Sequence, residues 1–154
     1  MFRPSLLAFF LAIATGSAFL ISSLQAGTTE QQAVLAPVTA LFGGMAKRDP
    51  EAIKKTLLTG GTMVLMRDGK PTRMTFEAFV ERAGTPGKTH IEERIHHPLV
   101  RIDHDLAVVW APFEFLTEGK VDHCGTDLFN LVRIDGKWLI ASVADTGRKN
   151  CLVK

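Results

Sequence analysis

The sequence lacks a charge excess of either sign. It holds 18 Lys and Arg against 16 Asp and Glu, and residues 27–154 alone carry 17 basic and 16 acidic side chains. A nucleic-acid surface needs a basic face, so this balance argues against one. Charge is missing altogether from residues 4–29. Cysteine is scarce, with two in the chain, so no dense disulfide framework is available. None is required, because 154 residues bury roughly two thirds of their unfolded surface. There is no Gly-rich phosphate loop, and the Gly-x-Ser-x-Gly turn of serine hydrolases is absent. The spacing of His90, His96, His97, His104, His123 and the two Cys matches no zinc site. Neither a metal nor another cofactor is therefore expected. No repeat, low-complexity tract or interdomain linker interrupts the chain, which reads as one domain.

What is present begins with an address. Arg3 precedes an almost unbroken apolar run from Leu6 to Ile21, the pattern of a secretory signal peptide. Cleavage is expected after Ala26, leaving a polar start at Gly27; Ala18 is the alternative site, and an uncleaved membrane anchor the alternative reading. The expected organisation is a signal peptide over 1–26 and a single domain over 27–154. The protein is then periplasmic or secreted, with no stable membrane association after cleavage.

The mature part starts with helices. Val34, Val38, Leu41, Phe42 and Met45 recur at helical spacing, with Pro37 inside the pattern. Asp49-Pro50-Glu51 opens a second helix through Leu57 and Leu58, ended by Gly60-Gly61. Met63 to Arg67 reads as a short strand and Asp68-Gly69 as a turn. Thr75 caps a third helix whose buried stripe is Phe76, Phe79, Val80 and Ala83. The rest reads as strand: Thr89–Ile102, with Ile91, Glu93 and Ile95 on one face; Leu106–Leu116, with a bulge at Pro112; Val121–Ile134; and Lys137–Asp145. Asp135-Gly136 is the hairpin loop between the last two. Helices followed by long antiparallel strands give an α+β class.

This order, with Arg48-Asp49 after the first helix and Asp135-Gly136-Lys137-Trp138-Leu139-Ile140 near the end, resembles the nuclear transport factor 2-like superfamily over residues 31–151. Val109-Trp110-Ala111-Pro112-Phe113 and His123-Cys124-Gly125-Thr126-Asp127, followed by a terminal Cys, are similar to exported bacterial members of SnoaL-like and lumazine-binding type. The resemblance implies a cone: N-terminal helices packed in a strongly curved antiparallel sheet, with a pocket between them. Ketosteroid isomerase, scytalone dehydratase, limonene epoxide hydrolase and polyketide cyclases share that fold, as do members that bind ligands or partners without catalysis. Fold alone therefore does not assign chemistry. The resemblance also implies a homodimer.

Alternation places His123, Gly125, Asp127 and Phe129 on one strand face. His123 and Asp127 are four residues apart, about 13 Å along the strand, too far to touch. Asp127, His123 and Asp145 are the candidates for proton transfer, since a carboxyl in an apolar cavity holds its proton to higher pH. The plainer readings are an Asp127–Arg ion pair, a hydrogen-bonded sheet His123 and a turn residue Asp145. Trp110 and Glu114 share a face and join His123, Asp127 and Phe129 as ligand-binding candidates, Trp110 alternatively serving as core or dimer surface. The expected function is binding of a small, largely apolar molecule. The alternatives are a proton-transfer isomerase, cyclase or dehydratase, and a homodimeric interaction module.

Export and an even cysteine count suggest a Cys124–Cys151 disulfide. The hairpin loop places Cys124 opposite Gly147, and a fold-back of the tail there brings Cys151 within bridging range. Two free thiols, one of them buried, are the alternative.

Overall fold

The computed structural model describes residues 21–151. Most of the expected signal peptide, residues 1–20, lies outside the described residues. Among the described residues, no helix is long and apolar enough to cross a membrane.

Helix α1 (Ile21–Lys47) runs through Pro37 without ending. Its stripe is the expected one: Val34 and Val38 are fully buried and Leu41 is nearly so. Each such side chain contributes roughly 1.5–3 kcal/mol by leaving water. Helix α2 (Pro50–Lys54) is capped by Asp49, whose side chain accepts from the Ala52 amide, with Pro50 in the first turn. It stops at Lys54, earlier than the apolar pattern suggested.

Leu57 opens strand β1 (Leu57–Arg67), which absorbs Gly60-Gly61 instead of being preceded by them. The register shifts there, and Gly60 takes φ +80°, so the pair makes a bulge that bends the strand. Strand β2 (Lys70–Thr75) returns along β1 after the Asp68-Gly69 turn, and Thr75 caps α3 (Phe76–Gly84) through the Ala78 amide.

The span Thr89–Ile102 is two strands, β3 (Ile91–Ile95) and β4 (Leu99–Asp103), both paired with β5 (Leu106–Thr117). They are split at His96-His97-Pro98, with His97 at φ 45°. His96 and His97 thus lie at the break between the two strands. Pro112 causes no bulge in the β5 pairing; the shift lies between Phe115 and Leu116. The Pro112 carbonyl accepts from His96 N at 2.8 Å. Since N and C=O of one strand residue point the same way, the missing N–H of proline faces the break.

Strands β6 (Lys120–Ile134) and β7 (Lys137–Arg148) complete a seven-stranded sheet of order β2-β1-β7-β6-β5-β3, with β4 also on β5. One pair, β1 with β7, is parallel, which corrects the all-antiparallel expectation. The two strands start at the same end of the sheet, where β1 leaves α2 and β7 leaves the Asp135-Gly136 hairpin, and Ile140 N donates to the Thr56 carbonyl at 2.9 Å. Register shifts in β1, β5–β6 and β6–β7 supply the curvature that wraps the sheet around α1. The core lies in that concavity, where Val34 and Val38 meet Phe129, Leu131 and Ile140.

Cys124 and Cys151 are disulfide-bonded, with Cα atoms 5.7 Å apart. The route differs from the simple hairpin count. A bulge between Asn130 and Leu131 takes up one residue of β7, so Cys124 faces Arg148 instead of Gly147. The tail then needs only three further residues to reach the bridge.

Candidate functional site

The concave face of the sheet and helices α1 and α3 enclose a cavity of about 400 Å³. Its walls are largely apolar, with Phe42 and Met45 from α1, Phe79 from α3, and Met63, Phe113 and Phe129 from the sheet, while Arg48 and Arg82 also reach the lining. Into this lining project Glu93, His123, Asp127, Asp145 and Arg67.

Strand register explains the cluster. Asp127 on β6 lies directly opposite Asp145 on β7, so two carboxyls sit side by side at 3% and 9% exposure. Two charges cannot share such a site uncompensated. Arg67, at the end of β1, forms a bidentate pair with Asp145 at 2.6 and 2.7 Å. Gly147 makes the room for it: a methyl group there would lie 2.6 Å from the guanidinium carbon.

Asp127 therefore has no arginine of its own. Burial, the nearby Glu93 charge and a hydrogen bond with Glu93 push it up to about 10. Burial pushes Glu93 up to about 7, offset by the hydrogen bond from Asp127. The two behave as one pair of buried carboxyls that titrates together and shares a proton. Oδ2 of Asp127 is buried and has no hydrogen-bond partner among the described residues.

The structure brings His123, Asp127, Phe129 and Asp145 to one cavity. Asp145 is not a turn residue, because β7 continues to Arg148, and the arginine expected beside Asp127 sits on Asp145 instead. Trp110 and Glu114 share a face as expected, but it is the outer one, since they alternate with Ala111 and Phe113 along β5. Trp110 is 51% exposed, and Glu114 approaches His96 at 3.3 Å. Neither lines the cavity.

Glu93 and Arg67 were not among the candidates. Glu93 left a signal in the sequence, a carboxylate between Ile91 and Ile95 on one apolar face. Arg67 left a weaker one, a cation ending the alternation Met63, Leu65. Among the described residues, no three His, Cys, Asp or Glu side chains are grouped to hold a metal ion.

A family model described as "Putative lumazine-binding" matches residues 29–144. No curated protein matches the chain. Solved structures share the fold at low identity. A nuclear transport factor 2-like protein from Cytophaga hutchinsonii is 20% identical, with a TM-score of 0.66 over 77% of this chain and 98% of that one. Another, of unknown function, from Shewanella baltica is 18% identical, with a TM-score of 0.62 over 79% and 95%. A structure described as "Putative Scytalone Dehydratase" from Novosphingobium aromaticivorans is 10% identical, with a TM-score of 0.65 over 84% and 93%. With three quarters of its length matched by one family model, the chain belongs to the lumazine-binding-like family, and its helices held in a curved mixed sheet form the nuclear transport factor 2-like fold.

Proposed function

We propose that the chain binds a small, flat, largely apolar molecule in the cone cavity and anchors it by a hydrogen bond from a ligand O–H or N–H to Asp127. One observation carries this reading: a buried, unpartnered Oδ2 of Asp127 in an apolar cavity of about 400 Å³. A buried acceptor without a partner costs about 1–3 kcal/mol, which a ligand donor recovers. Lumazine, named in the family description, is a flat bicycle with ring N–H donors, and so is one compound to test.

Fluorescence titration with 2-naphthol and 2-methoxynaphthalene separates the anchor from the apolar walls. The wild type binds 2-naphthol about three- to tenfold tighter than the ether, and Asp127→Leu removes the difference. Failure of both compounds to bind, or equal binding of both by the wild type, would overturn the reading.

The second reading is proton transfer on such a ligand, favoured by the Glu93–Asp127 dyad. Glu93 lies near neutrality, where a group both takes and returns protons. Asp127 Oδ2 accepts the substrate proton while the proton on its other oxygen passes to Glu93. Exchange of the α-protons of 2-tetralone in D2O, followed by NMR, tests it; a rate no higher than that of buffer, or equal to that of Glu93→Gln, sinks it.

Export to the periplasm or medium remains part of the proposal, supported by the apolar leader and the disulfide. So does a homodimer, for which the outer row Leu99, Trp110, Leu128 and Ala144 across four strands, the first two exposed and the last two half-buried, is the fitting surface. Sedimentation of the wild type against Trp110→Lys decides the dimer.

A further inference from the structure

We infer that His123 is a second anchoring group of the cavity, a hydrogen-bond acceptor at Nε2 positioned by Asp122 and Lys149, so that the site takes a molecule with hydrogen-bond donors at both ends. This rests on the cavity reading above and narrows its ligand class.

The argument starts from a bulge. Phe115 faces His123 and Leu116 faces Val121, which leaves Asp122 as the extra residue of β6. Such residues re-aim side chains. Here Asp122 Oδ2 meets Nδ1 of the next residue, His123, at 2.8 Å. Lys149 Nζ lies 2.9 Å from both Asp122 oxygens. Hydrogen bonds from Lys149 and then His123 hold the Asp122 carboxyl below its ordinary range, so it is ionised at neutral pH.

An ionised carboxylate only accepts hydrogen bonds. The ring proton must therefore sit on Nδ1, and the neutral ring presents a lone pair at Nε2. Nε2 has no partner among the described residues. The ring itself is held by Phe115, stacked at 4.9 Å, and Phe113, edge-on at 5.8 Å. Both are cavity walls, as is His123. Lys149 is kept in place by the disulfide, two residues further on.

Asp127 follows His123 by four residues on the same face, about 13 Å along the strand. The cavity thus offers acceptors at two separated points of its largely apolar lining. An apolar molecule carrying O–H or N–H groups at opposite ends satisfies both.

Two measurements on the full chain test this. Ring 15N NMR should show a protonated Nδ1 and a pyridine-type Nε2 for neutral His123. Asp122→Ala should return the ring toward the Nε2–H form that free imidazole side chains prefer; Asp122→Asn, which keeps the side-chain shape, serves if that variant does not fold. In fluorescence titrations, 2,6-dihydroxynaphthalene should bind the wild type about three- to tenfold tighter than 6-methoxy-2-naphthol. His123→Phe should abolish that preference.

A proton on Nε2 in the wild type overturns the inference. So does a diol preference that is absent, or that survives in His123→Phe. If 6-methoxy-2-naphthol still binds in an Asp127-dependent way, the cavity reading stands while this inference falls. If neither naphthol binds, both fall.

Discussion

Replacing Asp127 by Asn should change how stability depends on pH. The folded chain keeps Asp127 protonated, because burial and the Glu93 charge raise it to about 10. The unfolded chain releases that proton near pH 3.9, roughly the free aspartate value. For a carboxyl raised on folding, the native state binds more protons than the unfolded state. Stability is then fully present below the unfolded value and is lost as pH rises toward the folded one. Each pH unit costs about 1.4 kcal/mol per proton held. From pH 4 to pH 7 this amounts to roughly 4 kcal/mol for Asp127 alone, a large share of a domain's usual 5–15 kcal/mol. Asparagine has the same shape, needs no proton and still donates to Glu93. Urea unfolding of both proteins at several pH values from 4 to 7 measures the effect, since groups outside the Asp127–Glu93 pair cancel in the difference. Asp127→Asn should gain roughly 4 kcal/mol on the wild type across that range. A flat difference curve would mean that Asp127 is ionised in the fold, and the dyad argument would fail.

Gly147→Ala should push the Arg67 guanidinium, 2.6 Å from the new methyl, off Asp145. We expect about 2 kcal/mol lost in chemical denaturation; an unchanged midpoint would show that the glycine is not needed for the pair. Cys151→Ser opens a link spanning 27 residues and should cost about 3.5 kcal/mol on the chain-entropy account. This corresponds to roughly 10 °C in Tm, and a shift of only a degree or two would assign the bridge a local role. Intact mass of the exported protein should correspond to a chain starting near Gly27, whereas a membrane-bound chain that still begins at Met1 would show an anchor.

Much of the fold was legible because local rules decided it. Asp49-Pro50 and Thr75 cap helices where capping chemistry says they should. The stripe of Val34, Val38 and Leu41 is buried, and Asp135-Gly136 pairs Ile134 with Lys137. The misreadings came from residues whose role depends on a distant neighbour. Gly60-Gly61 resembles a helix stop, yet a Cβ at Gly61 would meet the Phe76 ring, so close packing demands glycine inside a strand. Pro112 resembles a bulge, yet the neighbouring strand breaks beside it. Trp110 resembles a pocket wall because a strand's alternation separates two faces without saying which one is concave.

The sequence by itself determined the class of the fold, most of the elements, which residues share a strand face, and the grouping of His123, Asp127 and Phe129, and it pointed to the cysteine pair. These follow from periods of 3.6 and 2 and from turn chemistry, which act over a few residues. Only the tertiary structure decided which face encloses a cavity and which charges meet inside it. Arg67 and Asp145 are 78 positions apart, and Glu93 reaches Asp127 from another strand. Their partnership depends on the parallel β1–β7 pairing and on three bulges that set the register. A shift of one residue would turn each carboxyl to the opposite face, and no local pattern records that choice.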